Sequence, residues 1–161
     1  MIKRDFIANR GNLKGFIFVF FFRVSHFFQD HGALGKIVGL PFRVFYKIVF
    51  RWILCIDIPD STKIGEGLMV FHGMGLVVHG NCKIGNNVVI RHNTTIGQKK
   101  ANGAVPVIGN GVDIGAHSII LGDIEIGDNC VIGAGTFVDK NIPANCLVYG
   151  SPFVIKKLSN N

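Results

Sequence analysis

Six histidines give this 161-residue chain its groups able to move a proton near neutral pH. Two stand in suggestive company: His72 opens the glycine-rich turn His72-Gly73-Met74-Gly75, and His92 follows Ile90-Arg91. Imidazole has an ordinary pKa near 6.5, so its neutral form takes a proton from a hydroxyl at neutral pH and returns it later. A carboxylate on the second ring nitrogen would fix the tautomer and stabilise the imidazolium. The four cysteines (Cys55, Cys82, Cys130, Cys146) form no C-x-x-C pair and no metal-type cluster.

What must position these residues is a repeat. Branched apolar residues recur every six positions as Ile58, Ile64, Val70, then Val78, Ile84, Ile90, Ile96, then Ile108, Ile114, Ile120, Ile126, Ile132 and Val138. The phase slips by two residues after Val70, and one unit is skipped before Ile108. Gly often follows the apolar residue, and four positions after it stands a second modest one, such as Thr62, Cys82, Val88, Thr94, Ser118 or Thr136. Neither a helix nor a hairpin sheet has a period of six. Each unit reads as a short strand plus a corner, with Asn, Asp and Gly suiting the corner angles. One unit cannot bury its apolar residue alone, but stacked copies can, so the pattern predicts a mainly β chain wound as a parallel β-helix over residues 57–149. Residues 98–107 (QKKANGAVPV) break the pattern and are expected to leave the coil as a loop, and 150–161 to form a C-terminal tail. Cys82 and Cys130 occupy inward positions and read as reduced core thiols of a cytoplasmic protein.

Residues 1–56 differ. They hold nine Lys/Arg and two Asp/Glu against eight of each in the remainder, so the formal charge of +7 resides there. Stretches 16–28 and 37–54 read as an N-terminal α-helical segment, the second helix starting near Pro41. Lys36, Arg43, Lys47 and Arg51 line one face beside bulky apolar residues. Such a segment suits the open end of a coil, an anionic inner-membrane surface, or both at once. The apolar run 16–22 is cut by Arg23 and falls short of the roughly 20 residues that a membrane span needs. No signal-peptide cleavage pattern follows it. The charge lies among apolar helical residues and no recognition motif is present, so nucleic acid is not an expected partner.

Residues 57–72 read D-I-x-x-x-x-x-I-G-x-G-x-M-x-x-H, followed by G-x-V-V and T-x-G. With the I-G-x-x-[small]-x repeat, this resembles the serine acetyltransferase branch of the hexapeptide-repeat acyltransferases. The resemblance implies a left-handed β-helix of roughly 18 residues per coil, a homotrimer with active sites between subunits, and acetyl-CoA as donor with no metal. It implies that Asp57 and His72 form a catalytic pair. His72 would take the acceptor proton and Asp57 orient it, while the hydroxyl attacks the thioester directly. His92 follows Ile90 as His72 follows Val70, so it is expected one coil away on the same edge as a substrate-binding group. His79 and His117 fall at other phases. Gly115-Ala116 and Gly133-Ala134 stand where the family's pantetheine arm lies along small corner residues, and Lys156 and Lys157 where CoA phosphates would be met. The β-helical carbonic anhydrases need a histidine pair five apart, but position 122, five after His117, is Gly.

The departures bear on the acceptor. Serine acetyltransferases carry an Asp just before the catalytic His, where this chain has Phe71. They also carry an Arg-His pair before a loop proline, where it has Ala104-Val105 before Pro106. Phe71 and Gly73 are left as acceptor contacts beside His72. A closer resemblance is to the short O-acetyltransferases of capsule, colanic acid and exopolysaccharide assembly. It is carried by Arg23-Val24-Ser25-His26-Phe27, by the I-R-H-x-x-T-I-G of residues 90–97 and by the turn Gly150-Ser151-Pro152. It implies a saccharide acceptor: a polysaccharide precursor, nucleotide sugar or lipid-linked glycan. Two rival readings are a serine O-acetyltransferase, which makes acetylserine, and a non-catalytic β-helix scaffold at a membrane. The scaffold would be indifferent to His72→Ala.

Overall fold

The six-residue period becomes strands of two or three residues between tight corners, and these strands stack in three sheets. One sheet stacks Ile56–Asp57, Leu76–Val78, Thr95–Gly97, Ile119–Leu121 and Phe137–Val138. The second stacks Lys63–Ile64, Lys83–Ile84, Val107–Ile108 and Glu125–Ile126. The third stacks Met69–Phe71, Val89–Arg91, Asp113–Ile114, Val131–Ile132 and Cys146–Gly150. Together they make a parallel β-solenoid of about five coils, seen in a computed structural model that describes residues 2–157.

All thirteen apolar residues of the period are buried, as are Thr62, Cys82, Val88, Thr94, Val112, Ser118, Cys130 and Thr136 four positions on. In the second sheet Ile64, Ile84, Ile108 and Ile126 pair in register, so an isoleucine column runs up the inside. Burying each such side chain contributes about 1.5–3 kcal/mol relative to leaving it in water. Burial pushes the Cys82 thiol up to about 11, and the Cys130 thiol is raised by the same cause. Both thiols, like Cys55 and Cys146, are free. The excursion from the coil runs over 98–106, since the strand resumes at Val107. Its Lys99 Nζ is tied to Asp139 Oδ2 at 2.8 Å.

The C-terminal tail folds back on the coil. The chain turns at Ser151-Pro152, and Phe153–Lys157 returns as a strand antiparallel to Cys146–Gly150. That pairing covers the free edge of the last parallel strand. Residues 158–161 lie outside the described residues.

The helical segment is more divided than expected. It comprises α1 (Ile2–Ala8), α2 (Leu13–Asp30), α3 (Gly32–Val38) and α4 (Leu40–Tyr46), the last continued by a π-wound turn, Lys47–Ile53. The stretch 37–54 divides at Gly39, and its helix starts near Pro41 as expected: Pro41 sits in the first turn of α4, where its missing N–H costs nothing. These helices cover the first coil, whose backbone groups have no layer above them. The Arg23 guanidinium donates to the carbonyls of Ile64 (2.7 Å) and Gly65 and to the Asp5 carboxylate (2.8 Å). Asp5 Oδ1 accepts the N–H groups of Gly67 (2.7 Å) and Leu68 (3.1 Å). Asn9 and Asn12 donate to the carbonyls of Leu68 (2.7 Å) and Val70 (2.9 Å), and the Tyr46 hydroxyl to that of Ile58 (2.6 Å). The Arg23–Asp5 pair is buried, each side chain only 2% exposed. The basic stripe is partly used here too: Arg43 pairs with Asp60 and Arg51 with Asp57.

Candidate active site

His72 stands at the corner joining the third sheet to the first. Register steps from Val70 to Ile90 are twenty residues but only eighteen from Val78 to Ile96, so this corner holds two extra residues. Three of its four residues have positive φ: His72 (62°), Gly73 (44°) and Gly75 (68°). That region is uncommon for histidine and marks a backbone held in place by its surroundings. At Gly73 space decides as well, because a Cβ would lie 2.8 Å from Ile56 Cδ1. The first turn of α2 fixes the strand before the corner. Asn12 caps Gly15 N (3.1 Å) while holding the Val70 carbonyl, and Gly15 approaches that carbonyl so closely that a side chain would collide with it.

Between α2, the π-wound turn and this corner lies a cavity of about 330 Å³ with His72 on its wall. Its lining is mostly apolar, including Phe18, Phe50, Leu54, Ile56 and Met74, with Lys14 as its one cation and no carboxylate among the described residues. Sequence reasoning named His72 and Gly73 of this lining but missed Lys14, Ile17, Phe18, Phe50 and Leu54, which come from separate helical segments and belong to no recognised motif.

The rings of His72 and His92 lie 5.9 Å apart, edge to face at 80°. Beyond His92 the column continues to His117, at 5.1 Å and 82°. The expectation that His117 lies at another phase is corrected. It is one position further along its unit than His92, yet its N–H bonds to the His92 carbonyl (3.0 Å) and its left-handed backbone (φ 60°) brings the ring back onto the same edge. His92 Nδ1 is buried without a hydrogen-bond partner among the described residues.

Asp57 does not join this cluster. Among the described residues no hydrogen bond links it to His72; its Oδ1 accepts from Arg51 Nε at 2.6 Å. Strand alternation is the cause: Ile56 points inward to the cavity, while Asp57, the next residue, faces a separate groove with His79 and Val77. Phe71 is likewise turned outward from buried Val70, against the Arg91 guanidinium 5.7 Å from its ring, and does not line the cavity. Arg91 is in turn paired with Asp113.

The small corner residues lie farther down the histidine edge. Gly135 N bonds to Ala116 O (2.8 Å), stacking Gly133-Ala134 under Gly115-Ala116. A Cβ on Gly115 would strike the Ala134 backbone nitrogen, so this glycine serves coil stacking. Ala116 is half-buried and Ala134 exposed. Lys156 and Lys157 are exposed on the terminal strand, opposite Leu147 and Cys146.

The family profile described as bacterial transferase hexapeptide (six repeats) matches residues 106–140. WcaB of Escherichia coli K12, provisionally named a colanic acid biosynthesis acetyltransferase, is 36% identical over 156 residues, covering 94% of this chain and 96% of WcaB. Soybean serine acetyltransferase superposes with a TM-score of 0.82 at 32% identity, covering 96% of this chain and 67% of that one. A serine acetyltransferase solved in complex with CoA gives a TM-score of 0.79 at 29% identity, covering 96% of this chain and 68% of that one. A repeating coil, a capped first layer and near end-to-end likeness to WcaB together make the chain a member of the hexapeptide-repeat acetyltransferases, an acyltransferase enzyme.

Proposed function

We propose that this acetyltransferase carries acetyl from acetyl-CoA to a hydroxyl of a saccharide, with His72 as general base. The observation that carries this reading is the cavity beside His72. Serine would bring an ammonium group there, and the lining offers it no carboxylate. Lys14 alone suits only anionic or neutral groups, and the apolar walls suit the C–H faces of a sugar ring. The name of WcaB, which points to polysaccharide assembly, supports the same acceptor class.

Neutral His72 takes the hydroxyl proton as the oxygen attacks the thioester carbonyl. The tetrahedral intermediate then expels the CoA thiolate, which receives the proton from the imidazolium. No acetyl-enzyme is formed. For Asp57 to orient His72 it would have to exchange Arg51 for the imidazole; within one chain the ring beside His72 is His92. The pantetheine arm would run along the edge that carries His92, His117, Ala116 and Ala134, with Lys156 and Lys157 toward the phosphates. The CoA complex of a related fold supports this donor. Val77, Ile119 and Phe137 stand exposed in one column, Val77 and Ile119 both pairing with Thr95 and Ile119 with Phe137. That apolar stripe supports packing of one copy on another, and so a homotrimer with active sites between subunits.

An acceptor screen with acetyl-labelled acetyl-CoA tests the reading. Label is expected in saccharide or lipid-linked saccharide acceptors as an alkali-labile ester. Preferential labelling of serine would contradict it.

A further inference from the structure

Beyond the reaction, we propose that the helical cap seats the protein on a membrane surface rich in anionic lipid. Ring contacts define a continuous ridge across three helices: Phe6–Phe16 (5.3 Å), Phe16–Phe20 (6.2 Å), Phe20–Phe21 (5.6 Å) and Phe21–Phe45 (5.1 Å). Phe6, Phe20 and Phe45 remain 56%, 40% and 45% exposed. Along α4 and the π-wound turn, Val44, Ile48 and Trp52 recur four apart and are exposed as well, Trp52 at 72%. Contiguous apolar surface of this kind marks a contact site.

Charge selects the occupant. Of the two acids in residues 1–56, Asp5 is buried against Arg23, leaving Asp30 as the one carboxylate outside. Arg4, Arg23, Arg43 and Arg51 are engaged in ion pairs. Lys3, Arg10, Lys14, Lys36 and Lys47 are exposed and have no ion pair among the described residues. A second copy of the cap would bring the same excess of positive charge and be repelled. Anionic headgroups complement it, while the interfacial region accepts the rings. No described helix is long and apolar enough to cross a membrane, so this contact lies in the interface plane. Ile17 and Leu54, exposed on the cap, also wall the cavity beside His72, so the docked face adjoins the acceptor site.

Trp52 is the chain's single tryptophan and reports on this surface directly. Its emission is read with vesicles of phosphatidylcholine alone and of phosphatidylcholine with about 30% phosphatidylglycerol, each with and without brominated acyl chains. A blue shift and bromine quenching are expected with the anionic vesicles and are reversed by high salt. The double variant Lys3→Glu/Lys47→Glu is expected to weaken vesicle binding by roughly 30-fold or more, with unchanged melting temperature and unchanged acetyl transfer to a soluble acceptor. Equal binding to both vesicle types, or binding to neither, overturns the proposal. So does a doubling of assembly mass without lipid accompanied by a blue-shifted Trp52, which would give the ridge to a second copy. None of the binding readouts depends on turnover, so they stand or fall apart from the acceptor assignment.

Discussion

Inside the coil, a backbone N–H or carbonyl meets its counterpart one layer away, and each inward side chain meets another of its own kind. At the first layer there is no counterpart, and unlike side chains from α1, α2 and α4 supply the missing partners. The coil is therefore held by many equal contacts, each replaceable in kind. The cap adds to its buried rings, Phe18, Phe22, Tyr46 and Phe50, a few polar side chains that each serve one particular backbone group. The corner that carries His72 sits where the two regimes meet: its strand belongs to the coil, but Asn9, Asn12 and Gly15 of the cap fix the carbonyls and approach of the segment leading into it.

This contrast orders the expected effects. Arg23→Ala leaves Asp5 as an uncompensated buried charge and should cost about 3–5 kcal/mol in denaturant unfolding. A loss below that of a single coil residue would mean that the cap is a passive cover. Ile114→Ala, at the middle of an internal column, should cost about 2–4 kcal/mol through lost burial and the cavity left behind. Tyr46→Phe removes the hydroxyl that donates to the Ile58 carbonyl and should cost about 1–3 kcal/mol. The smallest effect is one of pH. The folded-state Cys82 thiol is raised from 9.0 to about 11 by burial, so the fold favours the protonated form. Its contribution is complete below pH 9 and is lost as pH rises toward 11. Burial, then the nearby Asp60 carboxylate, raises Tyr46 in the same sense. Melting temperature should fall across that alkaline window, and Cys82→Ala should flatten part of the slope.

The two regions also differ in how legible they are. The coil could be read because thirteen apolar residues repeat one period and every one of them is buried. The break near Asn102 was visible for the same reason. The cap's partners follow no period: Arg23 meets Asp5 eighteen residues away, and Asn9 meets a carbonyl fifty-nine residues away. The Arg23-Val24-Ser25-His26-Phe27 motif served only as a family likeness, whereas its Arg23 and His26 are ligands of the first coil, His26 Nδ1 lying 2.7 Å from the Asp60 carbonyl. At the site, the equal offsets of His72 and His92 after Val70 and Ile90 were readable and their rings do meet, edge to face. His117 was missed because a left-handed corner undoes a one-residue offset. Within one chain Asp57 meets Arg51 instead of His72, because spacing alone does not say which way a strand residue points.

The central claim is that one imidazole at the junction of cap and coil takes the acceptor proton. Acetyl transfer by His72→Ala, compared with the wild type at matched acetyl-CoA saturation and melting temperature, tests it most directly. A rate loss on the order of 100-fold or more is expected. An unchanged rate in a folded variant that still binds acetyl-CoA would contradict it.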